Sequence, residues 1–133
     1  MNENLWARLE QAARAAAARA YCPYSRFAVG CAVLTADGAI ANGCNVENAS
    51  YGLTSCAERN AIFRAVGDGA TSITALVVYT PTAAPVTPCG ACRQVIAEFG
   101  RDARIRMICD GAEAIERGID ELLPAGFTLT RPA

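Results

Sequence analysis

Phe27-Ala-Val-Gly-Cys-Ala-Val-Leu-Thr-Ala-Asp-Gly-Ala-Ile-Ala-Asn-Gly-Cys-Asn-Val46 is the stretch on which the fold turns. Residues 27–34 form an apolar run suited to a strand buried on both faces. Asp37-Gly38 is a hairpin turn signal, and residues 39–46 return as a second strand. Upstream, Leu5, Trp6, Leu9, Ala12, Ala13 and Ala16 recur at helical spacing, which predicts a helix over 3–20 stopped by Pro23. Downstream, Ala57, Ala61, Ile62, Ala65 and Val66 share one face of a helix over 56–66, ended by Gly67-Asp68-Gly69. A strand over 73–80 follows, then a loop with Pro81, Pro85 and Pro88, and a helix at about 90–99 closed by Gly100. A strand over 105–109 and a short helix over 118–123 complete the pattern. A hairpin followed by crossovers over helices makes one α/β domain with a mixed sheet.

The totals narrow the function. A chain of 133 residues suits one domain with a real core. Hydrophobic residues at 53% and charged ones at 19% describe a compact globule, and no apolar run approaches a membrane span. A net charge of −1 argues against a nucleic-acid polymer as partner. Met1-Asn2-Glu3-Asn4 has no basic region before an apolar stretch, which predicts a cytoplasmic protein. The chain has no histidine, which removes Ser-His and Cys-His nucleophile pairs and every His-containing zinc site. All 12 basic residues are arginine, which removes Schiff-base lysines and the lysine-bearing phosphate loop. Seven cysteines, an odd number, fit metal binding or chemistry better than a disulfide framework.

The chemistry gathers at Cys56-Ala57-Glu58 and Pro88-Cys89-Gly90-Ala91-Cys92, each at the start of an expected helix. Cys89 and Cys92 are three apart, so both thiols reach one side of a first helical turn. Cys56 adds a third thiolate from another helix start, where the partial positive charge favours ionised sulfur. Three thiolates with an open fourth position describe a catalytic zinc site. Glu58 is close enough to touch a water on such a metal without ligating it. Two other readings stand beside this one. The C-x-x-C pair is also compatible with a redox dithiol, and Cys22, Cys31, Cys44 or Cys109 with the closing ligand of a structural zinc; those four otherwise read as buried small hydrophobes.

With these residues in place, the chain resembles the small homotetrameric zinc-dependent cytidine deaminases. Cys-Ala-Glu followed by Pro-Cys-x-x-Cys is the zinc deaminase signature. Asn45-Val46-Glu47-Asn48-Ala49-Ser50-Tyr51, Ser55-Cys56-Ala57-Glu58-Arg59 and Pro88-Cys89-Gly90-Ala91-Cys92-Arg93-Gln94 match the narrower family. Pro23-Tyr24-Ser25-x-Phe27-x-Val29-Gly30 and Glu121-Leu122-Leu123-Pro124-x-x-Phe127 match it too, so the likeness runs from about residue 20 to 127. The stretch over 79–85 departs from the pattern and leaves substrate range open.

The resemblance implies a three-layer α-β-α sandwich with a mixed, mostly five-stranded sheet. It implies one zinc per subunit on Cys56, Cys89 and Cys92, with Glu58 as proton shuttle. Phe27 would pack near the base, and Asn45 and Glu47 would bond the ribose 3′-hydroxyl. The Ala57 backbone would meet the pyrimidine edge. Ala49, Tyr51 and Phe127 would reach a neighbouring subunit's site within a homotetramer. The implied reaction is hydrolysis of cytidine or 2′-deoxycytidine to the uridine nucleoside and ammonia, as in pyrimidine salvage. The alternative is deamination of another aminopyrimidine nucleoside, such as a blasticidin-type antibiotic. Zinc at +2 with three thiolates sums to −1, so Arg59, at i+3 from Cys56, is expected to bond thiolate sulfur and withdraw charge, and Arg93 to do the same beside Cys92.

Overall fold

The computed structural model describes residues 1–129. Five strands form one sheet: β1 (Gly30–Thr35), β2 (Ile40–Cys44), β3 (Ile73–Tyr79), β4 (Arg104–Ile108) and β5 (Ile115–Gly118). Their spatial order is β2-β1-β3-β4-β5. β3 and β4 run parallel, as a connection through a helix requires, and the other neighbours are antiparallel. The helices are α1 (Glu3–Ala17), α2 (Ala57–Gly67), α3 (Gly90–Phe99) and α4 (Ile119–Leu122).

Alternation along the central strands builds the three layers. Ala32, Leu34, Ala75 and Val77 face α1 and pack with Trp6, Leu9, Ala13 and Ala17. Cys31, Val33, Leu76, Val78, Ile105 and Met107 face the other way, onto Ala57, Ala61 and Ile62 of α2 and Ile96 of α3. Both faces of the sheet are therefore covered, which is why the central strands read as continuous apolar runs. Two glycines set the distances between layers. A Cβ at Gly30 would meet the Ala13 carbonyl oxygen at 1.9 Å, and one at Gly43 would meet the Ala61 nitrogen at 2.5 Å. The helices thus lie directly on the backbones of β1 and β2.

The α-β-α architecture and the mixed sheet agree with expectation, while several boundaries move. The first helix ends at Ala17, not at residue 20, and two tight turns follow, Arg19 N–H to Ala16 O and Ala20 N–H to Ala17 O. Tyr21 then pairs with the far side of the sheet's edge, donating to Asn45 O and accepting from Glu47 N–H. The first strand starts at Gly30 instead of residue 27, because the Phe27 carbonyl and the Val29 N–H bond the Asn45 side chain, while the Val29 carbonyl meets the Asn45 backbone N–H. β5 has no counterpart in the element pattern read from periodicity. It is four residues long, and cross-strand charge holds it: Arg104 and Arg106 of β4 both bond Glu116. Arg106 also lies 4.1 Å above the Trp6 ring and bonds Glu10, tying α1 to this edge.

Candidate functional site

Two helix N-termini converge on one point. Cys56 is the N-cap of α2 and Cys89 the N-cap of α3, both with extended backbone and neither using its side chain as a cap. Their sulfurs are free to face a ligand. Cys92 sits in the first turn of α3 and is fully buried. The three Sγ atoms lie within 4.8 Å of one another. A tetrahedral zinc with Zn–S bonds of about 2.3 Å needs sulfurs about 3.8 Å apart, so the cluster fits one such ion with a fourth position open. No other Cys belongs to the cluster: Cys31 and Cys109 are buried elsewhere, and Cys22 and Cys44 are half-buried. The fourth-ligand reading thus has no support among the described residues.

The surroundings of Cys56 favour its thiolate. Arg59 Nη2 donates to Cys56 Sγ at 3.0 Å, as its i+3 spacing leads one to expect. The hydrogen bond from Cys92 and then Arg59 outweigh burial and draw the Cys56 thiol down to about 5. The Cys92 thiol is pushed up, first because its proton is shared with Cys56 and then by burial. Arg93 behaves differently from expectation. Its guanidinium donates to Pro88 O at 2.8 Å, Leu122 O at 2.7 Å and Thr87 Oγ1 at 3.3 Å. It ties the loop before α3 to α4 and bonds no sulfur.

Beside the cluster a cavity of about 410 Å³ opens. Cys56, Ala57, Glu58 and Cys89 line it together with Phe27, Asn45 and Glu47. Glu58, in the first turn of α2, is only 6% exposed, and burial pushes its carboxyl above the ordinary value. Asn45 is buried; its Oδ1 accepts from Val29 N–H at 2.9 Å and its Nδ2 donates to Phe27 O at 2.8 Å. Glu47 accepts from the Tyr24 and Ser25 N–H groups at 3.0 and 3.1 Å and from the Ser25 hydroxyl. A second cleft of about 360 Å³, walled by Tyr24, Asn48 and Tyr51, adjoins the first and shares Ser25, Glu47 and Thr54 with it.

Three expected site residues stand apart from their own chain's cavity. Ala49 is exposed in the loop after β2. Tyr51 is 77% exposed in a short 3-10 turn, with its ring edge-on to Tyr24 at 6.2 Å between centroids. Phe127 is 68% exposed on the C-terminal tail, where its carbonyl accepts from Gln94 Nε2 at 3.0 Å. Conversely, Val78, Thr80, Val86 and Thr87 line the cavity without having been singled out. Thr80 carried a signal, a polar residue ending an apolar strand; it is buried, with its hydroxyl 2.7 Å from that of Thr82.

Comparison with known proteins agrees with this geometry. The family model described as the cytidine and deoxycytidylate deaminase zinc-binding region matches residues 5–109. A cytidine deaminase of Sporosarcina psychrophila is 47% identical over 120 residues, covering 83% of this chain and 82% of that protein. One from Halalkalibacterium halodurans is 49% identical over 110 residues, covering 82% of this chain and 83% of that protein. The crystal structure of cytidine deaminase from Burkholderia pseudomallei superposes with a TM-score of 0.88 at 42% identity, covering 96% of this chain and all of that one (100%). That of Mycobacterium tuberculosis gives 0.82 at 43%, covering 93% and 98%. A sulfur trio at two helix starts, a buried glutamate beside it and these likenesses lead to one conclusion: the chain belongs to the cytidine and deoxycytidylate deaminase family.

Proposed function

We propose that this protein is a cytidine deaminase, hydrolysing cytidine and 2′-deoxycytidine to uridine and 2′-deoxyuridine plus ammonia. The observation that carries the reading is the convergence of three sulfurs within 4.8 Å next to a buried glutamate in a cavity. Cys56, Cys89 and Cys92 hold one zinc ion per chain. When bound, zinc supplies the Lewis acidity that makes water a nucleophile near neutral pH.

The chain's own groups do the rest. The Glu58 carboxylate takes the proton of the attacking water and delivers it to ring N3. After addition at C4 it carries the proton of the new C4 hydroxyl to the exocyclic nitrogen; the C4–N bond then breaks, ammonia leaves and the C4 carbonyl forms. Burial suits Glu58 to both duties, because raising a carboxyl's pKa brings its acid and base forms closer in energy near neutrality. The Ala57 backbone borders the pyrimidine edge, and Phe27 gives the base a flat apolar wall. Asn45 and Glu47, which line the same cavity, receive the sugar's 3′-hydroxyl. Arg59 offsets the negative charge of the sulfurs through its bond to Cys56.

The functional unit in this reading is a homotetramer with shared sites. Tyr51, Leu53 and Phe127 are each more than two-thirds exposed, an amount of large apolar surface that favours burial against another copy. Ala49, Tyr51 and Phe127 then complete a neighbour's cavity, excluding water from it. Closed symmetry with perpendicular two-fold axes uses each patch without leaving a free edge. No described helix is long and apolar enough to cross a membrane. Three cysteines that must stay reduced to hold zinc suit the cytoplasm, where thiols stay reduced.

The test is loss of cytidine absorbance with purified protein, with zinc measured in the same sample. Turnover with about one zinc per chain is expected. A zinc-free protein whose Cys89 and Cys92 cycle between dithiol and disulfide would overturn the reading.

A further inference from the structure

The segment 24–29 and the pair Asn45 and Glu47 form a single hydrogen-bonded unit whose centre is a residue the reaction scheme leaves unused. Glu47 Oε1 accepts from the backbone of Tyr24 and Ser25, and Oε2 accepts from the Ser25 hydroxyl. The same Ser25 oxygen accepts from Phe27 N–H at 3.0 Å. On the other side of that residue, Phe27 O is held by Asn45 Nδ2 at 2.8 Å. One hydroxyl thus joins the carboxylate at the sugar end of the cavity to the aromatic along its wall. The turn carries Arg26 at φ 58°, a left-handed conformation that non-glycine residues keep only where neighbours hold it.

We propose that Ser25 is a positioning residue for sugar recognition: its hydroxyl aims the Glu47 carboxylate so that Oε2 accepts one further donor, the nucleoside's sugar hydroxyl. The count of acceptor sites agrees. A carboxylate offers about four lone-pair sites, and protein donors from residues 24 and 25 take three. The same donors, the Ser25 hydroxyl foremost, hold Glu47 below its ordinary pKa, so it stays an acceptor. Glu47 and Ser25 both line the main cavity and the adjoining cleft, which places the pair where the two meet. The proposal rests on reading Glu47 as the sugar reader of a cytidine deaminase.

The experiment compares KM and kcat for cytidine and for 2′,3′-dideoxycytidine in the wild-type zinc enzyme, Ser25→Ala and Ser25→Thr. For cytidine, Ser25→Ala raises KM about tenfold, the scale of one hydrogen bond to a charged group, with kcat within about twofold. For dideoxycytidine, which lacks the hydroxyl, KM stays within about twofold of the wild type's own value for that substrate. Ser25→Thr, which keeps the hydroxyl, restores the cytidine KM. An equal penalty on both nucleosides, a fall in kcat, an unchanged cytidine KM or a threonine variant as impaired as alanine each overturns the Ser25 role while leaving the deaminase reading intact. A wild-type enzyme that turns over neither nucleoside overturns that reading, and the Ser25 role with it.

Discussion

Glu58→Gln separates the two tasks that the proposed function assigns to the start of α2, holding metal at Cys56 and moving protons at Glu58. The glutamate is buried at 6% exposure beside the sulfurs, and the amide matches it in shape. Burial already opposes the charged form of Glu58, so the substitution removes no favourable buried charge. Fold and zinc content should therefore persist, with a melting temperature within several degrees of wild type, as for other volume-conserving changes in a core (about 1.5 kcal/mol or less). Turnover should not persist. One acid–base group contributes about 10²–10⁴-fold, and in the proposed mechanism Glu58 serves both the water and the leaving nitrogen. No histidine exists to replace it, and the other carboxylate lining the cavity, Glu47, is occupied by Tyr24 and Ser25. The upper end of the range follows, about 10⁴-fold, or about 5.4 kcal/mol of barrier. Steady-state loss of cytidine absorbance, with elemental zinc analysis of the same sample, measures both quantities. A variant that keeps a tenth of wild-type turnover would refute the proton-shuttle role. One that loses its zinc would show that Glu58 acts as a ligand.

Further outcomes follow from the same geometry. Cytidine 5′-monophosphate should be turned over far less efficiently than cytidine, because among the described residues no arginine lines the cavity, which presents the Glu47 carboxylate; comparable kcat/KM on the two would contradict the site's polarity. Phe127→Ala should raise KM without loss of zinc, and wild-type activity should fall on dilution as the assembly dissociates; a monomer by light scattering with full specific activity would refute shared sites. At β5, burial raises the Glu116 carboxyl, but hydrogen bonds and charge from Arg106 and Arg104 prevail and hold it below 4.5. A depressed carboxylate contributes stability above its unfolded pKa, lost as pH falls through the lower folded value. Glu116→Gln should therefore melt below wild type at pH 7, with the gap closing only below 4.5; a gap independent of pH would point to packing instead.

What the sequence made legible was what neighbouring residues decide. Cys56, Glu58, Cys89 and Cys92 sit at helix starts, and spacing within a first turn is a local property. The two layers of helix follow from apolar periodicity over 3–20 and 56–66 and from the punctuation of 90–99 by Pro88 and Gly100, none of which needs knowledge of the partner. The two arginines show where such reasoning stops. Arg59 is three residues from Cys56 and so shares its side of the helix, whereas Arg93 is adjacent to Cys92 and points about 100° away, toward Pro88 and Leu122.

Errors arose where the deciding partner was distant in the chain. Residues 27–29 have a strand's composition, yet the Asn45 side chain, 16 to 18 residues away, takes the Phe27 carbonyl and the Val29 N–H that a strand would have used. β5 has only four residues, two of them charged, so it exists as a strand through Arg104 and Arg106 and not through its own pattern. Ser25 lay inside a recognised motif but acquires its meaning only from Glu47, 22 residues away. The resemblance aims Asn45 and Glu47 at a substrate, and the structure shows each holding the loop bearing Phe27. A residue that spends most of its hydrogen-bonding capacity on the protein is fixed in position before a substrate arrives. Preorganisation of that kind makes the remaining bond selective, because the ordering has already occurred during folding.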